Sequence, residues 1–268
     1  MFDFGFIGSG NMGSALSKGI SRKISGEKIC VSNRTFSKAE KLADEISGSA
    51  VSVITVAKES RFIFVGVKPQ MLCDLASEIS AVLKGRTDRF IIVSMLAGTD
   101  MNTVCEKLGV TCPVIRIMPN VNCLIGEGMT LCTRNDMVTD EEYEEFFSAM
   151  EMTGKLDDIP EKLIDAASAV AGCGPAYAFM MIEALADGAV DCGVPRNKAY
   201  LYAAQMLEGS AKLLLETEKS PSTLKDSVCS PAGTTIEGVR ALEKGGFRSS
   251  VIEAVRAAYD RTCEIAKK

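Results

Sequence analysis

Short apolar runs rich in Val, Ile and Phe recur through the first half of the chain, at residues 3–7, 28–32, 61–67, 90–94, 114–118 and 129–132. Their length and β-branched content predict buried strands. Amphipathic stretches lie between them, at 12–20, from Ser37 onward, at 72–83 and at 101–108. Ser37 with Glu40 three residues on predicts a capping box at the start of the second helix. Strands alternating with helices predict a parallel sheet with helices on both faces. Near Asp158 the pattern changes. From Pro160 onward only helical patterns remain, at 163–170, 175–192, 195–216, 221–227, 234–243 and 247–266, broken at Gly193 and at Gly245-Gly246. The expected organisation is an α/β domain over residues 1–158 and an all-helical domain over 159–268.

The helix predicted at 175–192 bears on assembly. Its charges, Glu183, Asp187 and Asp191, fall four residues apart and make one thin stripe. A helix apolar on its other sides must be covered nearly all round. A helical domain of about a hundred residues has limited capacity to do that alone. Two readings result: the central helix of a monomeric bundle, or, favoured here, a helix covered by a second copy of the chain.

Composition narrows the chemistry. The 268 residues carry a formal net charge of −5, so no basic face asks for nucleic acid. The acidic stretch from Asp140 to Glu145 reads as a solvated first helical turn. There is no histidine, which removes Ser-His-Asp, Cys-His and any histidine general base. The ten cysteines show neither C-x-x-C spacing nor metal-ligand clustering. They are expected to be reduced, mostly buried thiols, with no metal site. No basic and apolar leader is visible at the N-terminus, and no apolar run approaches the ~20 residues that span a bilayer. The expected address is the cytosol, with no membrane partner.

Gly8-Ser9-Gly10-Asn11-Met12-Gly13 completes G-x-G-x-x-G between an apolar strand and a helical pattern. In that setting the motif is a dinucleotide fingerprint. The first glycine makes the turn, the second admits the pyrophosphate, the third lets strand and helix pack, and the helix N-terminus offers N–H groups to phosphate. The next strand ends in Ser32-Asn33-Arg34-Thr35. An acid there would hold the ribose hydroxyls of NAD. None is present, and Arg34, with Ser32, Asn33 and Thr35, supplies donors for a 2′-phosphate. NADPH is therefore expected, with NADH as the alternative.

Further segments sit at strand ends, where ligands bind in open α/β sheets: Val67-Lys68-Pro69-Gln70, Ser94 through Gly98 with Ala97, and Arg116 through Asn120. In the helical half, Gly172-Cys173-Gly174-Pro175-Ala176-Tyr177 and Ser230-Pro231-Ala232-Gly233-Thr234-Thr235 precede helices. The second is a turn whose free N–H groups suit a carboxylate, or an ordinary helix cap.

The ordered set of these motifs, with Asp187-Gly188 and Gly245-Gly246-Phe247-Arg248, resembles pyrroline-5-carboxylate reductase over nearly the whole chain. The resemblance implies a Rossmann-like dinucleotide-binding domain followed by an all-helical dimerisation domain. It implies a substrate pocket where the two meet, with helices from a partner subunit. It further implies hydride transfer from NADPH to the C=N bond of 1-pyrroline-5-carboxylate, giving L-proline. Gly8, Ser9, Gly10, Asn11, Met12, Ser32, Asn33, Arg34, Val67, Lys68 and Pro69 are expected to hold the cofactor, with its nicotinamide near Ala97 and Asn120. Ser230, Gly233, Thr234 and Thr235 are expected to hold the substrate, and Thr235 carries over the family's contact with the ring nitrogen. A homodimer at least is implied, and a larger homo-oligomer such as a decamer stays open. Cys173 stands where the family usually has Ser, and Ala232 where it usually has Gly. Lys68 and Tyr177 are second choices as proton donors. The rival functions are another NADPH-dependent imine or hydroxy-acid reductase, and a non-catalytic NADPH-binding sensor or scaffold on the same fold.

Overall fold

The computed structural model describes residues 1–266 and divides into two compact units, one of residues 1–173 with 258–266, the other of residues 174–257. In the first, β1 (Phe2–Ile7), α1 (Asn11–Ser21), β2 (Ile29–Ser32), α2 (Phe36–Ile46), β3 (Ser49–Ala50), α3 (Val53–Glu59), β4 (Ser60–Val65), α4 (Leu72–Lys84), β5 (Ile91–Ser94), α5 (Met101–Leu108), β6 (Val114–Met118), β7 (Gly128–Arg134), α6 (Asp140–Met150), β8 (Gly154–Asp158) and α7 (Glu161–Ala171) follow one another. The eight strands form one sheet in the order β3-β2-β1-β4-β5-β6-β7-β8.

The strands read as continuous apolar runs because both faces are covered. Phe4, Phe6, Phe62, Phe64, Ile115 and Ile117 share one core with Leu16 and Ile20 of α1, Leu42 of α2 and Phe146 of α6. Phe6 stacks on Phe64 at 4.3 Å between ring centroids. On the other face Ile63, Val65 and Ile92 pack against Val56 of α3, Ile79 of α4 and Val104 of α5. Strand order reverses at β1, whose neighbours are β2 and β4, and that reversal opens a crevice at the strands' C-terminal ends.

Several expectations need correction. The sheet is not wholly parallel, since β7 runs antiparallel to β6. The connection between them holds only a short 3-10 turn, Val121–Ile125, and a parallel return needs a crossover of a dozen or more residues. Strands β3 and β8 and helix α3 were not anticipated. The capping box at Ser37 does not form, because α2 begins at Phe36 and Ser37 lies inside it. A capping box does form at α6, between Thr139 and Glu142. The acidic turn there is not wholly solvated: Glu142 is buried, with Arg89 Nε and Nη2 donating to its two carboxylate oxygens at 2.8 Å each.

In the second unit α8 (Gly174–Asp191) pairs with α9 (Arg196–Thr217), followed by α10 (Pro221–Ser227), α11 (Thr234–Lys244) and α12 (Phe247–Ala266), whose last residues belong to the first unit. Tyr177 Oη donates to the Ala254 carbonyl. Only three alanines of this unit, Ala186, Ala199 and Ala203, are buried among the described residues. Phe179 is 60% exposed and Met180 69%. These faces remain uncovered by the chain itself, as the thin charged stripe of α8 led us to expect.

Two further expectations change. The thiols are all free, but only Cys30, Cys112, Cys123 and Cys132 are buried, and Cys173 and Cys192 are exposed. An apolar stretch long enough to cross a bilayer, by length and composition alone, does exist at Glu161–Asp191. An apolar helix also passes that test when its partner is protein.

Candidate active site

The crevice beside β1 is a cleft of about 670 Å³. Of the expected phosphate loop, Gly8 and Gly10 line it. Gly8 has φ +108°, and a Cβ there would lie 2.6 Å from the Gly66 carbonyl oxygen of the neighbouring strand end. A Cβ on Gly13 would lie 2.1 Å from the Gly8 carbonyl oxygen, so α1 packs onto the loop only without a side chain there. At Gly10 a Cβ would meet nothing within 4 Å, and the loop is open to a ligand at that point.

Gly10 caps α1 without a side chain, and the first helical donor is Ser14 N, bonded to Gly10 O at 2.9 Å. The N–H groups of Asn11, Met12 and Gly13 thus have no intrahelical acceptor. They point the positive end of the helix dipole into the loop. Ser9 is fixed on both sides: its carbonyl accepts from Ser14 Oγ, and its hydroxyl accepts from Asn33 Nδ2 at 2.6 Å. Asn33 Oδ1 in turn accepts from Thr35 N at 2.9 Å. Asn33 is therefore a brace between the loop and the end of β2. Ser32 is buried, and its carbonyl accepts from Gly8 N.

Arg34 lines the cleft, is exposed, and forms no ion pair with a described residue. Lys68 lines it too and caps the 3-10 turn Pro69–Met71, with Pro69 at its first position. Val67 borders the same space. Sequence reasoning missed the apolar wall of Phe36, Val51, Val53 and Leu75, and the carboxylates of Asp74 and Glu78 on α4. Val51 and Val53 belong to the β3–α3 stretch, which was not recognised as structure at all.

Ala97 and Asn120 lie beyond the ends of β5 and β6, not among the residues lining this cleft. Asn120 is buried and doubly engaged. Its Oδ1 accepts from Asn122 N at 3.1 Å, and its Nδ2 donates to the Ala171 carbonyl on α7 at 2.9 Å. A second tie joins β6 to α7. Arg116, 2% exposed, donates from Nη2 to Asp165 Oδ1 at 2.5 Å and lies 3.5 Å from Glu161 Oε1. Its Nε has no hydrogen-bond partner among the described residues. Glu161 also accepts from Met101 N at 2.8 Å, so one carboxylate holds the starts of α5 and α7 together. Arg116 appeared in the sequence only as part of a motif; nothing in its spacing announced burial.

In the second unit Ser230, Gly233, Thr234 and Thr235 come together as a tight turn into α11. Gly233 N donates to Ser230 O at 3.0 Å, and Gly233 caps the helix with no side-chain bond. The N–H groups of Thr234, Thr235 and Ile236 have no intrahelical acceptor. Both threonines and Ser230 are exposed. Ala232 has φ +55°, a left-handed conformation that strains a residue with a Cβ.

A family model described as pyrroline-5-carboxylate reductase dimerisation matches residues 161–265, and one described as NADP oxidoreductase coenzyme F420-dependent matches residues 3–98. The pyrroline-5-carboxylate reductase of Escherichia coli K12 is 40% identical over 266 residues, 98% of each chain. The chain belongs to the pyrroline-5-carboxylate reductase family. A member from Synechocystis is 43% identical over 79% of this chain and 78% of its own. Among solved structures, the Streptococcus pyogenes 1-pyrroline-5-carboxylate reductase matches with TM-score 0.86 and 32% identity, covering 98% of each chain. The Plasmodium falciparum pyrroline carboxylate reductase, solved with NADP bound, matches with TM-score 0.89 and 28% identity over 99% of this chain and 98% of its own. The two-part architecture is that of the family, and the uncovered helical unit is its dimerisation region, so the protein is a homo-oligomer.

Proposed function

We propose that this chain reduces 1-pyrroline-5-carboxylate to L-proline with NADPH, the last step of proline biosynthesis. What carries the reading is near-full-length similarity to named reductases of this substrate, which includes the helical half holding the Ser230 turn. The loop residues fit a dinucleotide: Gly10 is open, the first N–H groups of α1 are free, and no carboxylate stands at the end of β2. Gly8, Ser9, Gly10, Asn11 and Met12 would hold the pyrophosphate. Arg34, with Ser32 and Thr35, would take the 2′-phosphate, while Asn33 braces the loop. Val67, Lys68 and Pro69 would border the cofactor, with Ala97 and Asn120 nearest its nicotinamide. Bound NADPH supplies the hydride.

The free N–H groups of Thr234 and Thr235 suit the substrate carboxylate, with Ser230 and Gly233 shaping the turn. The Thr235 hydroxyl would contact the ring nitrogen. A protonated imine is already electrophilic, so the chain's part is orientation. That suits a protein without histidine. We assign residues 1–158 to cofactor binding and 159–268 to dimerisation and substrate binding, in a homodimer at least. Ten free thiols suit a reducing compartment, and we place the enzyme in the cytosol.

The test is NADPH oxidation by the purified protein with pyrroline-5-carboxylate, set beside other cyclic imines and 2-keto acids. Preferential turnover of pyrroline-5-carboxylate is expected. Turnover of another imine alone would move the substrate, and NADPH binding without turnover of any would make the protein a sensor.

A further inference from the structure

Away from the cofactor cleft, at the opposite end of the sheet, two cysteines come together. Cys105 lies in the last turn of α5 and Cys112 just before β6. The local fold brings them together. Gly109 takes φ +67° after α5, Gly109 N donates to Glu106 O, and Val110 N donates to Cys105 O at 3.2 Å. This double bond pattern is the left-handed reversal that ends many helices, and it turns the chain back along the helix it has left. Cys112 thereby returns to Cys105. The Cys105 thiol donates to the Cys112 carbonyl at 3.9 Å, which places the two residues against each other.

The other buried thiols are placed differently. Cys30 and Cys123 meet the hydroxyls of Ser60 and Thr130, and Cys132 donates to the Thr130 carbonyl. Exposure within the pair is unequal: Cys112 is 3% exposed, whereas Cys105 is only half-buried and open to a small reagent. Hydrogen bonding from the Cys112 thiol favours the thiolate on Cys105, the reactive form of the group, and Cys112 stays protonated.

We infer that Cys105 and Cys112 form a reversible dithiol–disulfide pair, with Cys105 the sulfur that meets a hydroperoxide and Cys112 the sulfur that resolves it. In the first step the Cys105 thiolate attacks the peroxide. The O–O bond breaks, one oxygen remains on sulfur as a sulfenic acid, and the other leaves as water or an alcohol. In the second step the Cys112 thiol attacks that sulfur. The S–S bond forms, the S–O bond breaks, and the hydroxyl leaves as water with the proton from Cys112. Two electrons pass from the thiols to the peroxide. A cellular dithiol restores both thiols by exchange, breaking the S–S bond and leaving as a disulfide itself. Because neither sulfur lies on the cofactor cleft, oxidation leaves turnover unchanged. What it does is protect Cys105 from the irreversible sulfinic and sulfonic states.

The native protein is treated with stoichiometric hydrogen peroxide, its remaining thiols are alkylated, and its peptides are weighed. The segment carrying Cys105 and Cys112 is expected to lose two hydrogen masses and both alkyl groups, and dithiothreitol is expected to restore them. Cys105→Ser should remove that species, and Cys73→Ser, which changes an exposed thiol on α4, should keep it. NADPH-dependent turnover should be the same before and after oxidation. The proposal is overturned if Cys105 proceeds to sulfinic acid unlinked, if both thiols stay alkylatable, or if Cys105 links to another cysteine.

Discussion

Replacing Gly10 by Ala separates cofactor binding from folding. Gly10 has φ −74° and ψ −172°, a conformation open to any L-residue. An added Cβ meets no protein atom within 4 Å. Folding should be nearly indifferent, since the entropy gained by restricting the unfolded chain, about 0.4–1 kcal/mol, is offset by the poorer fit of Ala at a helix cap. The methyl group would occupy the space where a pyrophosphate must approach the N–H groups of Asn11, Met12 and Gly13. Losing one charge-assisted hydrogen bond costs about 1.5–3 kcal/mol, or roughly a 10- to 150-fold weaker Kd. The matched control is Gly13→Ala, whose Cβ would sit 2.1 Å from the Gly8 carbonyl oxygen and must push α1 off β1. That variant should lose thermal stability and NADPH affinity together. Calorimetric titration with NADPH and a thermal melt on both variants make the comparison. If Gly10→Ala binds NADPH as tightly as the parent, the pyrophosphate does not rest on this loop and the cofactor assignment is wrong.

Other outcomes follow from the same geometry. Arg34→Asp should weaken NADPH roughly 10- to 150-fold, the loss of one such bond, and leave NADH unaffected or improved; unchanged selectivity in paired titrations would remove the 2′-phosphate contact. Thr235→Ala should lower turnover far more than it weakens NADPH, and equal effects on both would place Thr235 outside the substrate site. Ala232→Gly should stabilise the fold by up to about 1 kcal/mol by releasing the left-handed strain, as read by urea unfolding. Arg89 holds the Glu142 carboxyl below its ordinary value. Its contribution to stability is thus complete above the unfolded-state pKa of about 4.3 and fades as pH falls through the lower folded value. Glu142→Gln should therefore destabilise the protein near neutral pH, by a margin that shrinks as pH falls below about 4.3; a difference that stays constant as the protein is acidified would mean that charge plays no part.

Legibility in the sequence followed burial. The strands β1, β2, β4, β5 and β6 stood out because both faces are covered and nearly every residue is apolar. Strand β8, Gly-Lys-Leu-Asp-Asp, was invisible because it is polar and largely exposed. Helix α3 begins Val-Ile-Thr-Val, residues with poor helix propensity, and it forms because Val56 and Ala57 pack under the sheet. The phosphate loop was legible because three glycines at fixed spacing have separate geometric duties. The Arg116–Asp165 tie was not, since its partners lie 49 residues apart and meet only once α7 packs on β7. The Ala232 departure was legible as a question about φ, and the answer is a left-handed residue.

The most direct test is a crystal structure of the homo-oligomer with NADP and proline. The account predicts the pyrophosphate against Gly10 and the first turn of α1, the 2′-phosphate on Arg34, and the proline carboxylate on the N–H groups of Thr234 and Thr235. A proline bound elsewhere, with the Ser230 turn covered by protein, would contradict it.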